Sequence, residues 1–289
     1  MPTLGAHMSI AGGLYRAPLR GEEAGCQTIQ VFTANRNRWE RRKLATEEID
    51  AFHRAVQKTS VRPIASHAAY LINLASPQKE VLEKSYGALL DELERVELLR
   101  IPYVVIHPGS HLGEGERNGL RRVAEIISRA LDSRKSFRAI ILLETSSGQG
   151  TNLGYRLEHL AEIIEFTACP ERLGVCFDTC HAFAAGYDFR SRDSYEQLFH
   201  QFDQVIGLHR LRLFHVNDSK TPMGSRLDRH EHIGKGHIGL KAFSFFLNDP
   251  RFDDFSFLIE TPKDKDSKGR DMDVINLRTL RKLLPEAGV

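Results

Sequence analysis

Histidine, aspartate and glutamate residues able to hold a metal recur in this sequence at one kind of place, the end of a short apolar run. In Leu173-Gly-Val-Cys-Phe-Asp-Thr-Cys-His181 a strand-length apolar stretch stops at Asp178, and His181 follows three residues later. Such a run reads as a buried strand whose polar end faces a site. With Asp178 closing the strand and His181 in the loop just beyond, the two side chains can diverge toward neighbouring metals. The same pair also suits a helix-capping aspartate beside a surface histidine, and this stretch alone leaves both open. Recurrence favours the first, because similar runs end at His7, His67, His107, Glu144, His215 and Glu260. One core histidine is easily satisfied by a backbone carbonyl. Seven such groups converging on one mouth are hard to satisfy without a metal.

The runs carrying these residues span 3–7, 28–33, 63–67, 103–107, 139–144, 173–178, 211–215 and 255–260, with helical patterns between them. The clearest helix covers 77–99, with Ser76 as N-cap, Pro77 at the first helical position, and Val81, Leu82, Tyr86, Leu89, Leu90, Leu93 and Val96 at helical spacing. Weaker patterns cover 46–58, 117–131, 155–167, 194–208, 240–247 and 274–284. From the third run onward, consecutive strand ends lie 40, 37, 34, 37 and 45 residues apart, as one strand-helix unit each requires. The pattern predicts the α/β class: a single (β/α)8 TIM barrel over 1–289, with the metal site at the C-terminal ends of its strands.

With 41% hydrophobic residues the chain can bury a large core, and a net charge of +2 gives no strong global field. A nucleic-acid partner must therefore be held by a local basic surface. One candidate is Arg36-Asn-Arg-Trp-Glu-Arg-Arg-Lys43, five cations in eight residues around the only tryptophan. Charge runs are mostly solvated surface, but this one follows the second strand on the metal rim, where Arg41, Arg42 and Lys43 are expected to touch phosphates. The connection 217–239 is too long for a simple loop. It holds Asp228-x-His230 with His232 beside it, and glycines at 234, 236 and 239 that would let the backbone pass close to a ligand. Segment 146–154 lacks the Gly-Lys-Ser/Thr ending of a phosphate loop and is expected to be mobile. Cys26, Cys169, Cys176 and Cys180 have no zinc-ribbon or thioredoxin spacing, and no secretory signal or membrane-length apolar run is present. The expectation is a soluble cytoplasmic protein with no membrane partner.

At this point the chain resembles the endonuclease IV family, zinc-dependent apurinic/apyrimidinic endonucleases, along essentially its full length. The matching segments are Gly5-Ala-His-Met-Ser with Ala11-Gly-Gly13, Phe32-Thr with Asn35 and Trp39, Ser66-His-Ala-Ala-Tyr-Leu71, His107-Pro-Gly, Leu143-Glu-Thr, Phe177-Asp-Thr-Cys-His-Ala-Phe, His215-Val-Asn-Asp-Ser-Lys220, Asp228-Arg-His-Glu-His-Ile-Gly-Lys-Gly and Ile259-Glu-Thr-Pro. The resemblance implies three Zn2+ ions: one held by His67, His107 and Glu144, a second by Glu144 as a bridge with Asp178, His215 and Glu260, and a third by His181, Asp228 and His230. Glu144 and Glu260 would serve the chemistry directly, while His7 and His232 fall outside the set and would support it or the fold. The implied substrate is double-stranded DNA containing abasic sites, bound by a monomer. The bond 5′ to the lesion would be cut to leave a 3′-hydroxyl and a 5′-deoxyribose phosphate, and 3′-blocking groups would also be removed.

The family also pushes an arginine, a tyrosine and a leucine into the duplex. Tyr70 and Leu71 match two of these, and the arginine position is Asn37, flanked by Arg36 and Arg38. A metal-dependent sugar isomerase or epimerase of the xylose-isomerase type would account for Glu144, Asp178, His215 and Glu260, but would leave His67, Asp228-x-His230 and the arginine-rich rim idle. A zinc-stabilised lesion-binding protein without turnover would require a broken ligand set, and every position here carries the expected type.

Overall fold

Alternation of strand and helix closes the chain on itself. The computed structural model describes residues 1–35 and 37–285. Strands β1 (Thr3–Met8), β2 (Thr28–Val31), β3 (Arg62–His67), β4 (Tyr103–Ile106), β5 (Ile140–Glu144), β6 (Leu173–Asp178) and β7 (Leu211–His215) are followed by a hairpin of β8 (Asp218–Ser219) and β9 (His230–Glu231), then by β10 (Ser256–Ile259). The barrel order is β1-β10-β7-β6-β5-β4-β3-β2, all pairs parallel. Outside it run α1 (Arg16–Ala24), α2 (Thr46–Lys58), α3 (Lys79–Leu99), α4 (Glu116–Asp132), α5 (Leu157–Phe166), α6 (Thr179–Ala185), α7 (Arg192–Val205), α8 (Leu240–Leu247) and α9 (Met272–Arg281). No helix among the described residues is long and apolar enough to cross a membrane.

The eight predicted strands are all present, and the differences are local. Helix α3 starts at Lys79 rather than Pro77, because the Ser76 hydroxyl accepts the Gln78 N–H at 3.2 Å and forms a turn ahead of the helix. Two helices had no expectation. The inner face of α1 is made of Ala17, Pro18 and Gly21, small residues that give no apolar stripe to read. A Cβ at Gly21 would lie 2.8 Å from Ile29, so the glycine is what lets α1 approach β2. Helix α6 is only seven residues long and begins at the Asp178 strand end.

Strand alternation then sets which residues face the site. Ala65, Val105, Leu142, Cys176, Leu213 and Leu258 form an apolar cluster drawn from six strands and no helix, which places it inside the barrel. Two residues further along each strand stand His67, His107, Glu144, Asp178, His215 and Glu260. Side chains two apart share a face, so the packing of the inner layer aims all six at one mouth. Their neighbours in sequence, such as Ile106, Leu143, Phe177, Phe214 and Ile259, join the outer core with the helices.

Thr33 and Arg41, both in the connection after β2, are tied to α3 by a buried polar network. Glu92 accepts from Thr33 Oγ1 at 2.8 Å and from the Arg41 guanidinium at 2.6 Å, while Arg95 donates to Thr33 O at 3.1 Å and to Asp91 at 2.9 Å. Arg41 and Glu92 are only 4% and 1% exposed, so Arg41 is committed to the fold and cannot be the phosphate contact expected of it. Arg42 is solvent-exposed and pairs with Glu48. Removing one partner of a buried pair costs about 3–5 kcal/mol because the other charge is stranded. Arg41→Ala is therefore expected to lose about 3 kcal/mol of unfolding free energy in urea, and a loss under about 1 kcal/mol would show that Glu92 has another source of compensation.

Candidate metal centre

Glu144, at the end of β5 and fully buried, is the hub. Its Oε2 lies 3.1 Å from His67 Nε2 and 3.4 Å from His107 Nε2, and its Oε1 lies 2.8 Å from His215 Nδ1 and 3.4 Å from His181 Nδ1. His215 Nδ1 is also 3.3 Å from Glu260 Oε2 and 3.9 Å from Asp178 Oδ2. Beside this, Asp228 reaches His181 Nε2 at 3.2 Å and His230 Nε2 at 3.4 Å, and those two nitrogens face each other at 3.4 Å. The donor atoms of His67, His107 and Glu144 fall within 4.8 Å of one another, as do those of Glu144, Asp178, His215 and Glu260.

Backbone carbonyls turn the ring nitrogens toward the cluster. His67 Nδ1 is 2.7 Å from Ala68 O, His181 Nδ1 is 2.9 Å from Thr145 O, and His230 Nδ1 is 3.2 Å from Glu260 O. Each contact occupies one ring nitrogen and presents the other. Asn217 does the same for the carboxylates, with Nδ2 donating to Asp178 Oδ2 at 2.7 Å and Oδ1 accepting the Glu260 N–H at 2.7 Å. It follows the β7 strand end by two residues, which is the signal that could have marked it. His232 stands apart, bonded to Asn276 and Asp264.

Burial opposes charge on Glu144 and Glu260, yet the surrounding histidines outweigh it and hold both carboxyls well below their ordinary range. His181 and His215 are raised well above theirs despite burial, His181 by Asp178 and Asp228 and His215 chiefly by Cys176, Glu260 and Glu144. Among the described residues no lysine or arginine pairs with Glu144, Asp178, Asp228 or Glu260. Asp178 and Glu260 also accept from the side-chain amides of Asn217 and Gln30, but among the described residues the only groups paired with these four carboxylates that can carry positive charge are imidazoles, which are neutral when they act as ligands. That fits divalent cations bound by nitrogen and oxygen donors.

Two expectations about loops change. His181 belongs to α6 rather than to a loop, and Asp178 caps that helix by accepting the His181 N–H at 2.8 Å. Capping and clustering thus coexist in one carboxylate, because Oδ1 holds the helix while Oδ2 faces His215 and His230. Segment 146–154, expected to be mobile, is pinned: Ser146 is bonded to Gly154 O at 3.0 Å and Leu153 O at 2.8 Å, and Gln149 Oε1 accepts the Asp228 N–H at 3.2 Å.

The 217–239 connection is built around Asp218 rather than around a ligand. This buried carboxylate accepts the N–H groups of Ser219 at 2.8 Å, Gly234 at 2.9 Å, Gly236 at 3.0 Å and Ile238 at 2.9 Å. A Cβ on Gly236 would sit 2.3 Å from Ser219 O, so the glycine lets the loop fold onto its own aspartate. The β8–β9 hairpin follows, and β9 delivers His230 to His181.

The DNA-contact candidates divide. Tyr70 is 58% exposed at the rim, its ring centroid 5.7 Å from that of His67 and 5.6 Å from that of Phe32. With Asn35, Asn37, His7, Glu260 and Lys263 it lines a cavity of about 1000 Å³. Leu71 is half-buried beside it, and Arg38 is exposed and lines an adjoining cavity. Arg36 lies outside the described residues.

Fold and site together define the class first, a TIM barrel with a cluster of metal-binding side chains at its mouth. A model of the xylose isomerase-like TIM barrel family matches residues 20–283. A protein of Geobacter sulfurreducens named probable endonuclease 4 is 50% identical over 97% of this chain and 94% of its own length. The crystal structure of endonuclease IV from Thermus thermophilus superposes with a TM-score of 0.84 at 36% identity, covering 99% of this chain and 100% of that one. A D-tagatose 3-epimerase-like protein, at 18% identity and a TM-score of 0.72, shares the fold alone. The chain belongs to the endonuclease IV family and is a nuclease.

Asp218 sets the position of the hairpin and so of Asp228 and His230. In Asp218→Ala four N–H groups lose their acceptor, and the two buried ones, of Ser219 and Ile238, cost about 1–3 kcal/mol each. The variant is expected to keep its far-UV circular dichroism, to be cut by trypsin within 220–238 far faster than the parent, and to lose about one metal equivalent. Unchanged proteolysis there would mean the hairpin is held by something else.

Proposed function

We propose that the protein is a DNA-repair endonuclease that hydrolyses the phosphodiester bond 5′ to an abasic site, leaving a 3′-hydroxyl and a 5′-deoxyribose phosphate, with three zinc ions at the barrel mouth. The observation that carries this reading is the double use of Glu144, whose two oxygens face two separate sets of histidines. His67 and His107 with Oε2 would hold one ion, and Asp178, His215 and Glu260 with Oε1 a second. His181, Asp228 and His230 would hold the third. Bound zinc lowers the pKa of water from about 15.7 to about 7 and offsets charge gathering on phosphate oxygens.

The chain's own residues fix those donors, exclude bulk water and present the lesion. Tyr70, its ring tilted against that of His67 and open to solvent, is placed to enter the gap left by a missing base, with Leu71 beside it. Extruding a nucleotide that has no base costs less than extruding an intact one, so a wedge gains most at an abasic site. Asn37 offers neither the charge nor the plane of an arginine, which leaves Arg36 or Arg38 to reach the gap, while Asn35 lines the cavity below. Removal of 3′-blocking groups would use the same centre. The reading includes a single catalytic domain acting as a monomer in the cytoplasm, in keeping with four free cysteines.

Protein purified without chelator is expected to contain close to three zinc equivalents by elemental analysis, and one or none would count against the cluster. Losing a partner that supports a metal costs roughly 10–100-fold, and Glu144 is a shared ligand. Glu144→Gln should therefore lower cleavage of a duplex bearing one abasic site by about 100-fold or more, and near-normal cleavage would sink the assignment. Base–aromatic stacking is worth about 1–3 kcal/mol. Replacing Tyr70 and Leu71 together by alanine should thus weaken binding to abasic duplex by about 10-fold or more, with intact duplex and zinc content little affected. Equal losses on both duplexes would reduce the pair to packing.

A further inference from the structure

Gln30, on β2, was not among the residues expected at the site, yet its fully buried amide touches three groups there. Its Nε2 donates to Glu260 Oε1 at 2.6 Å and lies 3.0 Å from His7 Nδ1, and its Oε1 is 2.9 Å from His215 Nε2. An amide can be placed either way round, but a carboxylate only accepts, so Glu260 fixes the NH2 end and leaves the carbonyl to His215. That carbonyl in turn only accepts. His215 must then carry a proton on Nε2, which leaves Nδ1 as the nitrogen that faces Glu144, Asp178 and Glu260 and that a cation could take. Glu260 is divided in the same way, with Oε1 taken by Gln30 and Oε2 turned to the cluster, 3.3 Å from His215 Nδ1.

The second amide hydrogen makes His7 Nδ1 an acceptor, so the proton of His7 sits on Nε2. That atom is buried and has no hydrogen-bond partner among the described residues, and His7 lines the cavity of about 1000 Å³ at the mouth. One side chain therefore determines the state of two histidines and one carboxylate.

We propose that Gln30 is a positioning residue for the metal centre: its amide selects the tautomer of His215 and occupies one oxygen of Glu260, so that His215 Nδ1 and Glu260 Oε2 are the atoms offered to a divalent cation. The same hydrogen bonds leave His7 Nε2–H as a donor for an acceptor atom of whatever occupies the cavity. The inference rests on the metal reading above. Groups in this position, one bond behind the ligands, are worth roughly 10–100-fold in metal affinity.

The test compares as-purified protein with Gln30→Leu, which keeps the approximate volume and removes both ends of the amide. Zinc release to a chromophoric chelator and the ring-15N shifts of His215 are read, with circular dichroism as the control for folding. The expected result is His215 protonated at Nε2 in the parent, and a variant that keeps its spectrum but releases one zinc roughly 10–100-fold faster. Should Gln30→Leu fail to fold, Gln30→Glu keeps an acceptor for His215 while setting a carboxylate against Glu260, and it too should release zinc faster with His215 still protonated at Nε2. Release matching the parent in a folded variant, or a parent His215 protonated at Nδ1, overturns the role of Gln30 and leaves the metal centre standing. A parent that binds no metal overturns both.

Discussion

The structure turns on a negative charge placed where water cannot reach it. Glu144 is fully buried, and the groups that compensate it are imidazoles. An uncompensated carboxylate in such a place would take up a proton, and a neutral acid would offer its neighbours one donor in place of two acceptors. Histidines on both sides of Glu144 keep it ionised. Asp178 and Glu260 add further charge at the same strand ends, where the amides of Asn217 and Gln30 donate hydrogen bonds but no net charge. A cluster of this kind suits a divalent cation.

What lets so many charged groups meet is the period of a β-strand. On six strands the donor stands two residues past an apolar side chain packed inside the barrel, so the layer that fills the core also aims the layer that binds. On β1 the residue two before His7 is Gly5, where a Cβ would lie 1.7 Å from Thr28 O, so β1 and β2 approach more closely than side chains would allow. That approach brings Gln30 beside His7, and through it to Glu260 and His215. A one-residue slip of any strand would turn its donor out into the helix layer.

This dependence explains what could be read from the sequence. Strand ends carrying His, Asp or Glu at intervals of one strand-helix unit were visible, because burial on both faces gives continuous apolar runs that stop at a polar residue. Helix α1 was not, since its inner face is built from small residues, and α6 is too short to show a period. Polar residues within a motif were harder still. Arg41 looked like its exposed neighbours until Glu92, distant in sequence, claimed it. Two of the glycines that suggested room for a ligand, Gly234 and Gly236, serve Asp218, and Gln30 carried no sign that its amide would meet two candidate ligands from other strands. Each of these depends on a partner far along the chain, which local pattern does not encode.

The barrel by itself does not select the chemistry, since an epimerase-like protein shares it at 18% identity. Around that mouth the chain brings in donors from beyond the strand ends. His181 enters through a helix started by a metal-candidate aspartate, and Asp228 and His230 arrive on a hairpin held by another aspartate. Both devices commit a buried carboxylate to backbone N–H groups, which fixes a loop as rigidly as a strand end. Rigidity matters because donors only 3.2 to 3.4 Å apart leave little slack for a cation to find its geometry. Tyr70 shows the opposite arrangement, three residues past His67 on the same segment but open to solvent. One strand end thus anchors a candidate ligand below and an aromatic ring above it, so that whatever the ring touches is held in register with the cluster.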